Sequence, residues 1–120
     1  MNIGPIGEKG EQMVALFLKN KGFNIIKRNY QCRFGEIDII AQNDELILFV
    51  EVKTRKENSV VPIEDAVDFK KKKRLILTAE DFLSKTCCDS QPRFDVALVT
   101  VGEKADKTLG YSLKYIENAF

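Results

Sequence analysis

At 120 residues, with 44% hydrophobic and 31% charged side chains, the chain has the size and composition of one globular domain spanning 1–120 with its own core. A formal net charge of +1 argues against bulk polyanion binding, so any affinity for nucleic acid must come from where charge is placed. The sequence has no histidine, which removes Ser-His-Asp and Cys-His catalysis, histidine-ligated zinc and a histidine general base. Chemistry here must run on carboxylates, lysine and a hard cation held through oxygen.

Cys32, Cys87 and Cys88 are odd in number and lack CxxC spacing. Reduced thiols in a reducing compartment fit that pattern better than a disulfide framework or a zinc site. No apolar run reaches the length of a membrane span, and Met1-Asn2-Ile3-Gly4 opens no signal peptide. A cytoplasmic protein without a membrane partner is expected.

Gly7 to Asn20 reads as a helix, with Gly22 as its C-terminal cap. At 100° per residue its inward stripe is Val14, Ala15 and Leu18, flanked by Met13 and Phe17. Glu11 falls on the axis of the same stripe. Either it aims at the core, or it belongs to the first turn, where acids favour the macrodipole and stay wet.

Strands are expected over 23–30, 36–42 and 45–54, the last two joined by a two-residue turn at Asn43-Asp44. Residues 55–61 read as a mobile loop. Pro62 is placed to start a long helix reaching Lys85, with Val67, Leu75, Ala79, Phe82 and Leu83 as its stripe. Gln91-Pro92 breaks the chain before a fourth strand over 93–101, and 111–116 has the pattern of a short last strand. The order α-β-β-β-α-β predicts an α/β domain, a mixed central sheet flanked by helices.

The second and third strands carry charge where a strand ordinarily carries Val, Ile or Leu. With the turn at Asn43-Asp44, Glu36 faces Glu51, Asp38 faces Phe49 and Gly35 faces Val52. Alternate residues share a side, so Glu36, Asp38, Glu51 and Lys53 gather on one face, with Asp38 and Glu51 diagonal neighbours roughly 7–8 Å apart at the backbone. Charge on one face of a hairpin usually means a solvated surface. Here Ile47, Leu48, Phe49, Val50 and Val52 leave no clean polar side, which describes a central strand covered on both faces. Two acids and a lysine converging there point to a site.

The chemistry that fits is metal-assisted phosphodiester hydrolysis. Asp38 and Glu51, with a main-chain carbonyl such as that of Val52, are oxygen ligands suited to Mg²⁺ or Mn²⁺. The ion would polarise the phosphate and acidify a bound water. Lys53, protonated, would stabilise charge on the pentavalent transition state. Glu11 would complete the metal environment from the first helix.

The arrangement resembles the PD-(D/E)xK nuclease superfamily, with Asp38 as first acid and Glu51-Val52-Lys53 as ExK. Gly10-Glu11, Phe17-Leu18, Gly22-Phe23, Arg28-Asn29, Gly35-Glu36-Ile37-Asp38 and Phe49-Val50-Glu51-Val52-Lys53-Thr54-Arg55 together resemble the bacterial YraN family. So do Arg74-Leu75, Ala79, Phe82-Leu83, Arg93-Phe94-Asp95-Val96 and Asn118-Ala119-Phe120. The resemblance implies a restriction-endonuclease-like core similar to archaeal Holliday-junction resolvases, where a first-helix glutamate in the place of Glu11 joins the hairpin acids. It implies DNA as partner, branched or otherwise distorted, and by analogy a homodimer, since two strands must be cut symmetrically.

Lys70-Lys71-Lys72-Lys73-Arg74 covers most of a helix circumference, so it is not one patch. Lys71 and Arg74 lie nearest the apolar side, Lys70 and Lys73 point outward, and Lys72 must snorkel. Phosphate contact and a plainly solvated face are both open readings. Lys71, Arg74 and Arg55 are the expected nucleic-acid contacts. Two functions follow: a metal-dependent nuclease acting on DNA, or a non-catalytic nucleic-acid- or partner-binding module on a nuclease fold.

Overall fold

The computed structural model describes residues 5–57 and 68–120. Seven elements follow one another: α1 (Pro5–Asn20), β1 (Asn24–Cys32), β2 (Gly35–Gln42), β3 (Leu46–Lys56), α2 (Phe69–Ser84), β4 (Gln91–Glu103) and β5 (Leu109–Ile116). They form a five-stranded sheet in the order β1-β2-β3-β4-β5, with β3 in the centre. β3 runs antiparallel to β2 and parallel to β4, and β5 returns antiparallel to β4. The fold is α/β with a mixed sheet, compatible with a restriction-endonuclease-like core. The last strand makes the order α-β-β-β-α-β-β.

Each helix covers one face. Val14, Ala15 and Leu18 of α1 are buried against Ile39, Ala41, Leu48, Val50, Ala97 and Val99, with Met13 and Phe17 packed beside them. Burying a side chain such as Leu18 contributes about 1.5–3 kcal/mol. Leu75 and Ala79 of α2 pack on the opposite face against Ile37, Ile40, Ile47, Phe49, Val96 and Leu98, with Phe82 and Leu83 at the margin.

α1 ends as its sequence indicates. The Phe23 amide donates to the Leu18 carbonyl at 3.0 Å and the Gly22 amide to that of Lys19 at 3.0 Å, a Schellman motif. Gly22 has φ +95°, a conformation that penalises any Cβ. Gly22→Ala should therefore lower stability by about 1 kcal/mol. Urea denaturation reads this as a lower midpoint at unchanged slope; an unchanged midpoint would remove the cap from the account.

The second helix is shorter than its periodicity suggests. Asp68 is extended (φ −82°, ψ 178°) and its side chain accepts from the Lys71 amide, so it is the N-cap and no helix runs through it. A helical start at Pro62 is thereby ruled out for the run ending at Ser84. Residues 62–67, Val67 of the expected stripe included, lie outside the described residues, as do 58–61 of the expected loop. Arg55 and Lys56, assigned to that loop, extend β3 beside Thr100 and Val101. Gln91 and Pro92, assigned to a break, open β4, where the Gln91 amide donates to Glu45 at 2.8 Å. Proline is tolerated at such a strand entry.

The hairpin turn also moves by one residue. The Asn43 amide donates to the Leu46 carbonyl at 2.9 Å, and the Asn43 side-chain oxygen accepts from the amides of Glu45 and Leu46. Asn43 thus closes the turn from its first corner, and the two loop residues are Asp44 and Glu45. The register follows: Ile40 faces Phe49 and Ile39 faces Val50. The expected pairs Asp38–Phe49, Glu36–Glu51 and Gly35–Val52 are not formed. Because a one-residue move of the turn shifts pairing by two, no residue of β3 changes face.

Candidate functional site

Glu51 sits in the middle of β3, beside Val96 of β4, and is only 4% exposed. An unpaired carboxylate there would be strongly destabilising. Two ammonium groups offset it: Lys71 of α2 and Lys53 of β3 both place Nζ against Oε2 of Glu51, Lys53 at 3.4 Å. The cap bond from Asp68 fixes the backbone of Lys71 in the first turn of α2, above this part of the sheet.

Asp38 reaches the same place by a break in the pleat. Ile37 and Ile39, two residues apart, should share a side of the sheet; instead they pack in opposite clusters. Asn29, which lies across from Asp38 in β1, has φ 54°, and that left-handed residue lets the strands change phase. Pairing between β2 and β3 extends no further than Ile39 and Val50. Beyond it, Oδ2 of Asp38 accepts the Val52 amide at 2.8 Å, so a side chain takes the position of a ladder carbonyl. Asp38 is 4% exposed.

Asp38, buried beside the Glu51 charge, does not ionise freely. Burial, then the adjacent Glu51 charge, push the Asp38 carboxyl from an ordinary 3.8 up to about 7, against the opposing hydrogen bond from Val52. Burial and the neighbouring Lys71 ammonium push Lys53 down. Burial is the largest single influence on Lys71 and opposes its charge, but hydrogen bonding to Glu51 and Lys53 and the charges of Glu51 and Asp38 together outweigh it and hold that lysine up.

Glu11 is buried, which decides between its two sequence readings in favour of the core. Gly10 lets α1 approach this closely, since a Cβ there would collide with Oγ1 of Thr54. Oε1 of Glu11 pairs with Nη2 of Arg28 at 3.4 Å. Burial pushes its carboxyl up, partly offset by Arg28. Its charge adds to the upward shift at Asp38, yet among the described residues no three His, Cys, Asp or Glu side chains form a group that could hold a metal ion. Asp38 and Glu51 are brought together; Glu11 stays with Arg28. Glu36 lies opposite Gln31 of β1, whose side-chain amide donates to it at 3.2 Å.

The donor set suits a hard divalent cation. Mg²⁺ is commonly held by one or two carboxylates with the remaining positions left to water and substrate phosphate, so Asp38 and Glu51 with the Val52 carbonyl meet that requirement without a third acid. Of the expected nucleic-acid contacts, Arg74 is exposed on α2 and lies against Gly35 at the start of β2. Arg55, two residues beyond Lys53, is half-buried with its Nε lacking a hydrogen-bond partner. Lys71 faces inward onto Glu51. Lys70 and Lys73 are exposed, and Lys72 lies 5.6 Å from the centre of the Phe120 ring, as its snorkelling position requires.

Two features escaped the sequence reading. The pairing of Lys71 with Glu51 crosses 20 residues, and only the helical phase of Lys71 near the apolar side hinted at it. The other is Asp95, wholly buried in β4 and bonded to Arg93, Tyr115 and the Asn118 amide. An arginine and an aspartate two apart on one side of an apolar strand was the available signal.

Among the described residues no helix is long and apolar enough to cross a membrane. The model of the uncharacterised protein family UPF0102 matches residues 10–99, a span that contains Glu11, Asp38, Glu51, Lys53, Arg55, Lys71 and Arg74. A UPF0102 protein of Clostridium acetobutylicum is 40% identical over 115 residues, covering 95% of this chain and 92% of the relative. One from Alkaliphilus metalliredigens is 39% identical over 116 residues, covering 96% of each. One from Caldanaerobacter subterraneus subsp. tengcongensis is 36% identical over 121 residues, covering 100% of this chain and 98% of the relative.

Proposed function

We propose that this chain, which belongs to the UPF0102 (YraN) family, is a metal-dependent nuclease that hydrolyses DNA phosphodiester bonds, with branched or distorted DNA as its substrate. The observation that carries the reading is the juxtaposition of two buried carboxyls, Asp38 and Glu51, beside the amine of Lys53. A purely structural strand gains nothing from a buried Asp38 whose ionisation the adjacent Glu51 charge makes more costly. A divalent cation bound there would neutralise both and polarise a phosphate.

The chain's own groups divide the remaining work. Asp38 is oriented by the Val52 amide, so its second oxygen is directed by the backbone of β3. Lys53 stands where charge on a phosphate oxygen would be stabilised. Glu11, oriented by Arg28, adds negative potential from the α1 side and would contribute through that potential, with no ligand role required. Arg74 and Arg55 supply phosphate contacts that position a duplex without reading its sequence.

One observation favours the second reading, a binding module: Glu51 is already paired with two lysines, as a structural carboxylate would be. Incubation with linear, single-stranded, flapped and four-way DNA, in Mg²⁺, in Mn²⁺ and in chelator, separates the two. The nuclease reading expects cleavage that disappears with chelator and in Asp38→Ala and Glu51→Ala. Salt-sensitive binding without cleavage, unchanged by those substitutions, would replace it with the binding module.

A further inference from the structure

Lys71 holds a position that the proposed chemistry leaves unexplained. Its ammonium lies on the same oxygen, Oε2 of Glu51, that Lys53 approaches at 3.4 Å. The two acids and two ammoniums cancel formally. Adding a divalent cation to all four would leave a half-buried cluster with two excess positive charges in a region of low polarisability, which is strongly unfavourable. Moving one ammonium out to solvent when the cation enters relieves part of that excess.

The two lysines differ in their freedom to do so. Lys53 rises from β3 two residues after Glu51, on the same strand and the same side, so its stem stays beside the carboxylate in any rotamer. Their side chains are similarly exposed, 31% for Lys71 and 28% for Lys53, but Lys71 comes from a different element, the first turn of α2, so its stem can carry the ammonium away from β3. Its backbone is held by the Asp68 cap independently of where its ammonium points.

Building on the nuclease reading, we propose that Lys71 is the resident counter-ion of this site: it occupies Glu51 until a divalent cation displaces it, and the displaced ammonium then faces solvent, where the phosphate backbone of a nucleic acid would meet it. Lys71 is in this view a positioning residue for the carboxylates and a regulator of cation entry. Removing it should make the site bind a cation more tightly, which is the reverse of what loss of a ligand does.

The test is a Mn²⁺ titration followed by the electron paramagnetic resonance signal of the free ion, with Lys71→Met, Lys71→Arg and the exposed control Lys73→Met, each confirmed folded by circular dichroism. Removing the competitor's one charge-assisted hydrogen bond to Glu51 corresponds to about tenfold tighter binding in Lys71→Met. Lys71→Arg and Lys73→Met should stay near the parent affinity. Binding seen in Lys71→Met but too weak to measure in the parent also supports displacement. Equal or weaker affinity in Lys71→Met, with Mn²⁺ bound by the parent, overturns the counter-ion role and leaves the nuclease reading standing. No Mn²⁺ bound by any variant overturns both.

Discussion

Asp38→Asn is expected to stabilise the protein at pH 8 by on the order of 2 kcal/mol, while leaving it unable to support metal-dependent cleavage. The asparagine oxygen still accepts the Val52 amide, so the local geometry survives and only the ionisable group is lost. A carboxyl whose pKa is higher in the folded chain than in the unfolded one takes up its proton more readily when folded. The stability this confers is fully present below the ordinary value of 3.8 and is lost as pH rises through about 7. The parent should therefore weaken relative to Asp38→Asn across that window, and the gap should level off above it. Urea midpoints for both proteins from pH 4 to pH 8 measure this directly. Parallel curves would mean that Asp38 ionises without penalty, and the reading of the two carboxyls as a strained pair would fall.

Arg93→Ala should be the most destabilising single change described, at about 3–5 kcal/mol, because it strands a buried charge. Asp95 is 0% exposed and receives Nε and Nη2 of Arg93, each at 2.9 Å, with the Tyr115 hydroxyl at 2.6 Å and the Asn118 amide at 2.9 Å. Burial, followed by the bond to Asp95, pushes the Tyr115 phenol up, so it remains a donor. These bonds tie β5 and the chain beyond it to β4, and the Ala119 amide adds a bond to the Phe94 carbonyl at 2.7 Å. The approach of Arg93 to Glu117, at 3.9 Å on the surface, contributes little. Thermal melts of Arg93→Ala and of the double variant Arg93→Ala/Asp95→Asn distinguish the causes. The double variant should recover part of the loss, since it removes the stranded charge; a double variant worse by the sum of both changes would show that packing alone is at stake.

What the sequence made legible was whatever depended on local pattern. Val14, Ala15 and Leu18 announced the inner face of α1 by phase, and Gly22 announced its end by the backbone conformation only glycine adopts cheaply. The apolar run 46–50, with Val52 beyond Glu51, identified β3 as central, and the alternation of Phe49, Glu51 and Lys53 put acid and amine on one side. The register differs from its expected value because Asn43 can serve either as a loop residue or as the corner that closes the loop, and composition does not distinguish the two. The difference spares the faces of β3 because it is even.

The remainder depended on tertiary partners. The phase change that carries Asp38 toward β3 arises from Asn29 on the neighbouring strand and from the loss of pairing beyond Ile39, neither of which has a periodic signature in β2 itself. Lys71 is one of four consecutive lysines, and only the packed helix selects the one that meets Glu51. Glu11 is placed inward by its phase, but its pairing with Arg28 requires the fold. Asp68 reads as one more polar residue within a long helix until its extended backbone makes it the cap.

The nuclease reading requires that Asp38 and Glu51 together hold a divalent cation. Crystals grown or soaked with Mn²⁺, with diffraction collected near the manganese absorption edge, measure it most directly. One anomalous peak per chain is expected between the two carboxylates, with the Lys71 ammonium moved off Glu51. A map without that peak at saturating Mn²⁺, with Lys71 still seated on Glu51, would contradict it.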